Sequence, residues 1–327
     1  GVDRAPLIIP IQLFPSPMAG MLEGVALDPS KRKYGPLDSL KDSATRVTTK
    51  SGLSIFAYDV RPDAKGAPLV LIHGLGDEGD TWRRVLPLLS HAVRVVAIDL
   101  PGFGRSDKPT DSKANYTVPW YAQAVVEVLD EMQLGKVVLV GHSMGGMIAD
   151  LIALKHPERM QALGLIGGGL LAPKRSWGET VQHWVLCTPL LGEMLYSGLR
   201  KDPRGAYNSL RGFYFDLDAL PEEERMFLWD RVQQRVWDDG QRHAFFKIVR
   251  SILSFLRNFE SSALRKISVP SFVCYGAGEG KDDHARRLVE LHGKSSTLAI
   301  VNGAGHNVQQ EHPAIVARLI DGLFSTV

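Results

Sequence analysis

Short apolar runs alternate with helix-like patterns along most of the chain. Continuous apolar runs are typical of strands buried on both faces, and six occur: Leu69–Ile72, Val93–Ile98, Val137–Val140, Ala162–Ile166, Val269–Tyr275 and Leu298–Val301. Apolar residues at three- and four-residue spacing predict helices between them, over Asp80–Ser90, Val118–Met132, Met144–His156, Asp282–His292 and Val308–Phe324. Strands that alternate with helices indicate βαβ crossovers, so the pattern predicts an α/β protein with a mainly parallel sheet.

The N-terminal part departs from this rhythm. Residues 1–40 include Leu7–Pro15, an apolar stretch that is broken by prolines, is too short to span a bilayer and lacks a signal-peptide layout. We expect an arm that packs on the body, and leave a surface anchor or part of a substrate entrance as alternatives. Apolar and polar residues then alternate in Thr45–Lys50 and Leu53–Val60, which predicts a β-hairpin around Ser51-Gly52.

The alternation of strands and helices stops between about Leu170 and Ser262. This stretch has helical spacing in Glu222–Trp237 and Arg242–Leu256, and it holds four of the six tryptophans: Trp177, Trp184, Trp229 and Trp237. A small insertion cannot bury so many large rings, so we expect some to line a cleft. The predicted organisation is an arm (1–40), a first core part (41–169), a helical cap (170–262) and a second core part (263–327).

Composition narrows the class of protein. A formal net charge of +2 over 327 residues argues against a nucleic-acid binder. Two cysteines, Cys187 and Cys274, argue against a disulfide scaffold and a cysteine zinc site, and no apolar run approaches the roughly 20 residues of a membrane span. We expect a small-molecule substrate, no metal, no cofactor and a cytoplasmic location. An exported or membrane-associated form stays open because the chain begins with Gly, and the oligomeric state is not predicted.

A glycine-rich turn follows the Leu69–Ile72 strand. Gly74–Gly79 fits G-x-G-x-x-G, and Asp99 ends the next strand about 20 residues on, as in a dinucleotide-binding fingerprint. Asp77 and Glu78 would lie where a diphosphate should bind, and like charges are unfavourable there. A redox enzyme is therefore a weak hypothesis.

A second motif, Gly141-His142-Ser143-Met144-Gly145, fits G-x-S-x-G between a predicted strand and a predicted helix. A serine on such a sharp turn has an exposed hydroxyl, and small flanking residues let the neighbouring backbone approach. The pattern predicts that Ser143 is a nucleophile, and we call the turn that carries it the elbow.

A serine nucleophile needs a base. Five of the ten histidines lie in helix ends, the insertion or the elbow itself, where packing or surface roles are expected: His91, His142, His156, His183 and His243. His306 follows the last predicted strand in a loop of small residues, 302–306, at the sheet edge that Ser143 also occupies. We therefore expect His306 to be the base.

The base needs an orienting carboxylate. The loop after Val269–Tyr275 leaves the same edge of the sheet and carries Glu279, Asp282 and Asp283. Glu279 lies within the glycine turn and is favoured, whereas Asp282 and Asp283 lie where a helix should begin. For the oxyanion, we expect the backbone N–H groups of Leu75 and Met144.

These motifs resemble the α/β-hydrolase superfamily, specifically its capped esterase-, proline-iminopeptidase- and haloperoxidase-like group, from about Thr45 to the end. The segments that carry the resemblance are His73-Gly74, Asp99–Asp107, Gly141–Gly146, Gly303–His306 and Glu311-His312-Pro313. The resemblance implies an α/β-hydrolase fold, a mainly parallel twisted sheet with helices on both faces and a helical cap inserted between two strands. Two features depart from the family pattern. Glu279 stands where the family most often has Asp, and residues 1–40 have no counterpart.

The nucleophile narrows the expected chemistry. Dehalogenases and epoxide hydrolases of this fold use a carboxylate at the elbow, so Ser143 argues against both. We expect a serine hydrolase that cleaves a carboxylic ester or lactone with an apolar or aromatic substrate through an acyl-enzyme. One alternative is a carbon–carbon bond hydrolase of vinylogous diketones, although those relatives commonly have Asn at the position of His142. A non-catalytic ligand-binding receptor of the same fold is the other.

Overall fold

A twisted sheet forms the centre of the molecule in the computed structural model, which describes residues 35–90, 92–111, 114–172, 187–188 and 190–325. In the described residues the sheet has eight strands: β1 (Ala44–Thr48), β2 (Ser54–Val60), β3 (Leu69–Ile72), β4 (Val95–Ile98), β5 (Val137–His142), β6 (Met160–Ile166), β7 (Ser271–Gly276) and β8 (Ser296–Val301). Their order is β1-β2-β4-β3-β5-β6-β7-β8. The hairpin strands β1 and β2 pair antiparallel, β2 also pairs antiparallel with β4, and all later pairs are parallel.

Helices cover both faces of the sheet. The described α-helices are α1 (Val118–Glu131), α2 (Met144–Lys155), α3 (Leu191–Gly198), α4 (Pro203–Asn208), α5 (Glu222–Trp237), α6 (Asp239–Asn258), α7 (Asp282–His292), α8 (Val308–Glu311) and α9 (Pro313–Ser325). Apolar residues of α1, α2 and α7 pack with Val70 and Ile72 on one face, and those of α9 pack with Leu69 and Leu71 on the other. Alternate residues of β3 thus serve two cores. The predicted α/β class and its mainly parallel sheet are confirmed.

Two of the predicted helices differ from the structure. The prediction of a helix over Asp80–Ser90 is wrong, because this segment forms two short 3₁₀ turns, Gly79–Trp82 and Leu86–Leu88. The Asp80 carboxylate is drawn into a buried ion pair with Arg105, and Pro87 provides no N–H to continue a helix. The predicted helix Val308–Phe324 is split into α8 and α9, because His312 precedes Pro313 and adopts a non-helical conformation.

The stretch between β6 and β7, which we call the insertion, holds α3 to α6 and, within the described residues, no strand. It has an apolar cluster of its own, which includes Tyr207, Tyr214 and Trp229. Buried residues of α6, such as Ile248, pack instead with the main core. The predicted division into arm, core and cap stays a prediction. Most of the arm, including Leu7–Pro15, lies outside the described residues, as do Trp177 and Trp184.

Candidate active site

Ser143 lies on a sharp turn between β5 and α2. Its backbone has φ +53° and ψ −116°, a conformation that typically costs about 1–3 kcal/mol and persists where the surroundings enforce it. Three glycines permit the turn. A Cβ atom on Gly141 would lie 2.2 Å from the carbonyl oxygen of Gly145, one on Gly145 would lie 2.5 Å from that of Ile72, and one on Gly168 would lie 2.1 Å from that of Ser143. Close packing of β3, β5 and the loop after β6 therefore holds the serine in this strained conformation.

The loops after β5, β7 and β8 bring three side chains into one hydrogen-bonded chain. His306 Nε2 lies 2.9 Å from Ser143 Oγ, and His306 Nδ1 lies 2.9 Å from Glu279 Oε2. Asp282 and Asp283 lie in the first turn of α7. Of the three acids considered, Glu279 is the one with a hydrogen bond to His306 among the described contacts.

The environment keeps Glu279 ionised. Burial alone would raise the pKa of its carboxyl, but His306 and Lys281 outweigh burial, and the net pKa is lower than usual. Lys281 Nζ lies 3.4 Å from Glu279 Oε2. A charged carboxylate favours the tautomer with the proton on Nδ1 of His306, which leaves Nε2 free to accept the serine proton.

His142 contacts the same imidazole from the elbow. Its Nε2 lies 2.9 Å from the backbone oxygen of His306, and because a carbonyl oxygen only accepts, Nε2 carries the hydrogen. Burial, assisted by the neighbouring His306, lowers the pKa of His142 to about 4, so the ring is neutral at pH 7. From the sequence we expect His142 to have a packing role at the elbow, and its hydrogen bond to the His306 backbone is not predicted.

The turn after β3 lies against the elbow. A Cβ atom on Gly74 would lie 3.1 Å from Ser143 Cβ. Leu75, the next residue in the chain, therefore also lies close to the serine. Among the described residues, the N–H groups of Leu75 and Met144 donate no hydrogen bond to another group. Both predicted oxyanion donors thus lack a partner among the described residues, and their role stays a prediction.

The acids of the G-x-G-x-x-G turn bind arginines of α5. Arg235 Nη2 lies 2.5 Å from Asp77 Oδ1 and 2.8 Å from Glu78 Oε1. Burial would raise the pKa of Glu78, but Arg235 and Arg231 lower it to about 2. Both carboxylates of this turn are thus paired with Arg235.

Aromatic residues of the insertion lie beside the hydrogen-bonded chain. The Phe213 ring centroid is 6.1 Å from that of His306, and the Phe213 side chain is 51% exposed. Phe245 lies 3.6 Å from the position of a Cβ atom on Gly76, in the predicted oxyanion turn. Phe213 lies in the stretch between Leu170 and Ser262, where we expect some of the large rings to line a cleft, but its contact with His306 depends on tertiary packing.

Two other features are absent from the described residues. No cluster of three or more His, Cys, Asp or Glu side chains has an arrangement that could hold a metal ion. No helix among these residues is both long and apolar enough to cross a membrane.

Comparison with known proteins gives matches along most of the chain. The family model of the alpha/beta hydrolase fold matches residues 67–313. A 2-hydroxy-6-oxononadienedioate/2-hydroxy-6-oxononatrienedioate hydrolase of Cupriavidus pinatubonensis is 27% identical over 286 residues, which cover 84% of this chain and 92% of that protein. A pimeloyl-[acyl-carrier protein] methyl ester esterase of Aeromonas hydrophila is 41% identical over 99 residues, or 30% of this chain and 37% of the esterase.

Solved structures share the fold. The haloalkane dehalogenase DatA of Agrobacterium tumefaciens C58 aligns with a TM-score of 0.72 at 22% identity, covering 89% of this chain and 100% of that one. This likeness concerns the fold alone, and the chemistry depends on the residues at the site.

Proposed function

The chain belongs to the α/β-hydrolase superfamily, and on that premise we propose that it is a serine hydrolase that cleaves a carboxylic ester or lactone with an apolar or aromatic substrate. The observation that carries the proposal is the chain of 2.9 Å contacts from Ser143 through His306 to Glu279. A serine with its base and an orienting carboxylate is the arrangement that acyl transfer requires.

In the proposed mechanism, Ser143 Oγ attacks the substrate carbonyl carbon while His306 Nε2 takes the hydroxyl proton. The N–H groups of Leu75 and Met144 donate to the oxyanion, and each such donor is typically worth about 10²–10³ in rate. Collapse of the tetrahedral intermediate breaks the bond to the leaving oxygen, which takes the proton from His306. Water then gives a proton to His306 and attacks the acyl-enzyme, and the acid is released as Ser143 regains its proton.

The surroundings support an apolar acyl group. Phe213 is apolar and half-exposed beside His306, and the acids nearest the predicted oxyanion turn are paired with Arg235. A carboxylate of the substrate would lose hydration against such a wall with little compensation from these described residues.

A second candidate is hydrolysis of a carbon–carbon bond in a vinylogous diketone. It is favoured by the similarity to the 2-hydroxy-6-oxononadienedioate hydrolase, which covers 84% of this chain. The same nucleophile, base and oxyanion donors could act there, but 2-hydroxy-6-oxononadienedioate is a dicarboxylate and would need cationic partners.

One experiment compares the wild type with Ser143→Ala on p-nitrophenyl acetate and butyrate, a lactone series and 2-hydroxy-6-oxononadienedioate. The exposed Ser262 offers the matched control, Ser262→Ala. We expect ester hydrolysis with an initial burst of p-nitrophenol in the wild type and the control, and a loss of at least about 10³-fold in Ser143→Ala.

The outcomes separate the candidates. Near-wild-type ester turnover by Ser143→Ala would refute the mechanism. A kcat/KM for the dienedioate that exceeds those of all esters and lactones would select the second candidate. Binding of these compounds without any turnover would indicate a receptor.

A further inference from the structure

A three-residue segment of the insertion, Phe213–Phe215, packs against both loops that carry the proposed base and acid. A Cβ atom on Gly305, directly before His306, would lie 2.6 Å from the backbone nitrogen of Phe215. A Cβ atom on Gly278, directly before Glu279, would lie 2.8 Å from the Phe215 ring. The segment therefore approaches both loops as closely as glycine allows.

One carboxylate joins this segment to the histidine loop. Glu311 Oε1 accepts the N–H of Phe215 at 2.7 Å, and Glu311 Oε2 accepts the N–H of Gly305 at 2.7 Å. Hydrogen bonds to an ionised acceptor are shorter and stronger than those between neutral groups. The Glu311 side chain thus holds Phe215 of the insertion and Gly305, the residue before His306, at the same time.

Neighbouring residues reinforce the contact. The backbone N–H of Asn307 donates to the Phe213 oxygen at 3.1 Å, and the Asn307 amide donates to the same oxygen at 3.3 Å. The Tyr214 hydroxyl donates to Gln310 Oε1 at 2.5 Å. Every residue of 213–215 is therefore bonded to the chain that immediately follows His306.

We propose that Glu311 is a positioning residue for His306, and that through its bond to Phe215 it also sets the place of Phe213 as the wall for the acyl group of the substrate. The inference rests on the proposed serine hydrolase function. Phe213 presents a half-exposed ring beside the imidazole, which suits contact with an apolar or aromatic acyl group. The carboxylate of Glu311 would then fix the positions of both His306 and Phe213, so that a shift of one would also move the other.

Glu311→Gln tests this proposal, with Glu290→Gln as the matched control. Glu290 is an exposed residue of α7 whose partner is Arg287. The glutamine amide keeps one accepting oxygen, so one of the two backbone N–H groups loses its acceptor. Kinetics on p-nitrophenyl acetate and p-nitrophenyl 3-phenylpropionate are normalised to active sites counted from the burst amplitude, which removes the effect of any misfolded fraction.

We expect Glu311→Gln to lower kcat per active site about tenfold on the acetate, because a small misplacement of the base has a large kinetic effect. We also expect about a fivefold increase in KM for the phenylpropionate. Phe213→Ala should raise that KM in the wild-type background and raise it less in the Glu311→Gln background, because the wall is already displaced there.

Values of kcat per site and KM equal to those of Glu290→Gln would overturn the proposal, as would a loss explained entirely by a smaller burst. If Glu311→Gln does not fold, Glu311→Asp replaces it, because the shorter carboxylate cannot reach both backbone N–H groups, and kcat per site and KM values equal to those of Glu290→Gln would then overturn the proposal. Absence of Ser143-dependent turnover in the wild type would instead remove the function on which the inference rests. Intact Ser143-dependent turnover with a silent Glu311→Gln would defeat this inference alone.

Discussion

Glu279 and Asp282 stand three residues apart between β7 and the first turn of α7, yet their environments differ. Glu279 is buried with its carboxylate on His306 Nδ1, whereas Asp282 lies in the first turn of α7, where it complements the helix dipole. Chain position alone left both as candidates. The choice between them depends on the turn at 277–280, where Gly280 adopts a left-handed conformation with φ +62°.

Exchange of each acid for its amide tests the assignment. Glu279→Gln should lower kcat for p-nitrophenyl butyrate by roughly 10³-fold or more, because the amide no longer stabilises the imidazolium or its working tautomer. Asp282→Asn removes a charge of the same sign from the same segment and serves as the control, with a change within about twofold. The reverse ranking would assign the orienting role to Asp282.

At the scale of elements, α5 is fastened to the predicted oxyanion turn by ion pairs. Arg235 binds Asp77 and Glu78, and Arg231 binds Asp80 at 2.7 Å. Glu78 and Asp80 are fully buried, so the arginines compensate for lost hydration. The helix of the insertion therefore helps to fix the turn that carries Leu75.

Arg235→Met should lower the free energy of unfolding by about 3 kcal/mol, because it leaves a buried carboxylate without its main partner. It should also lower kcat several-fold by loosening the turn that carries Leu75. Urea unfolding and ester kinetics measure the two effects, with Arg257→Met, an exposed position on α6, as the control. A stability loss with unchanged kcat would mean that the ion pairs hold the insertion without affecting the oxyanion turn.

At the scale of the whole molecule, periodicity predicted the mainly parallel sheet and the succession of strands and helices along the chain. It could do so because the apolar spacing that marks a buried strand or an amphipathic helix involves only residues close in sequence. The predicted candidates Ser143, His306 and Glu279 come together because parallel strands end at one edge. The contacts that periodicity could not predict are made by side chains distant in sequence. Glu311 meets Phe215 across 96 positions, and Arg235 meets Glu78 across 157. The wrongly predicted helix at Asp80–Ser90 has the same origin, since Asp80 pairs with Arg105 and Arg231, which are both distant in sequence.

The pH dependence of global stability follows from histidines that are buried in the neutral form. Burial lowers the pKa of His142 to about 4 and also lowers that of His73, whereas unfolded histidines titrate near 6.5. Between these values the unfolded state binds more protons, so stability falls as the pH decreases from about 6.5 towards 4. For His142 alone the loss amounts to at most about 3 kcal/mol over this window.

His142→Gln isolates this contribution, because the glutamine amide can still donate to the His306 oxygen but does not titrate. Urea unfolding at pH 7.0 and pH 4.5 should show a smaller loss of stability in His142→Gln than in the wild type. His156→Gln, at the partly exposed end of α2, is the matched control for removal of a histidine elsewhere. Glu311, whose pKa is raised by burial, acts in the opposite direction but is common to all three proteins and cancels in the difference. An equal loss in His142→Gln and the wild type would mean that His142 is not held neutral in the folded state. The group that donates to the backbone oxygen of His306 would then be a charged His142 imidazolium.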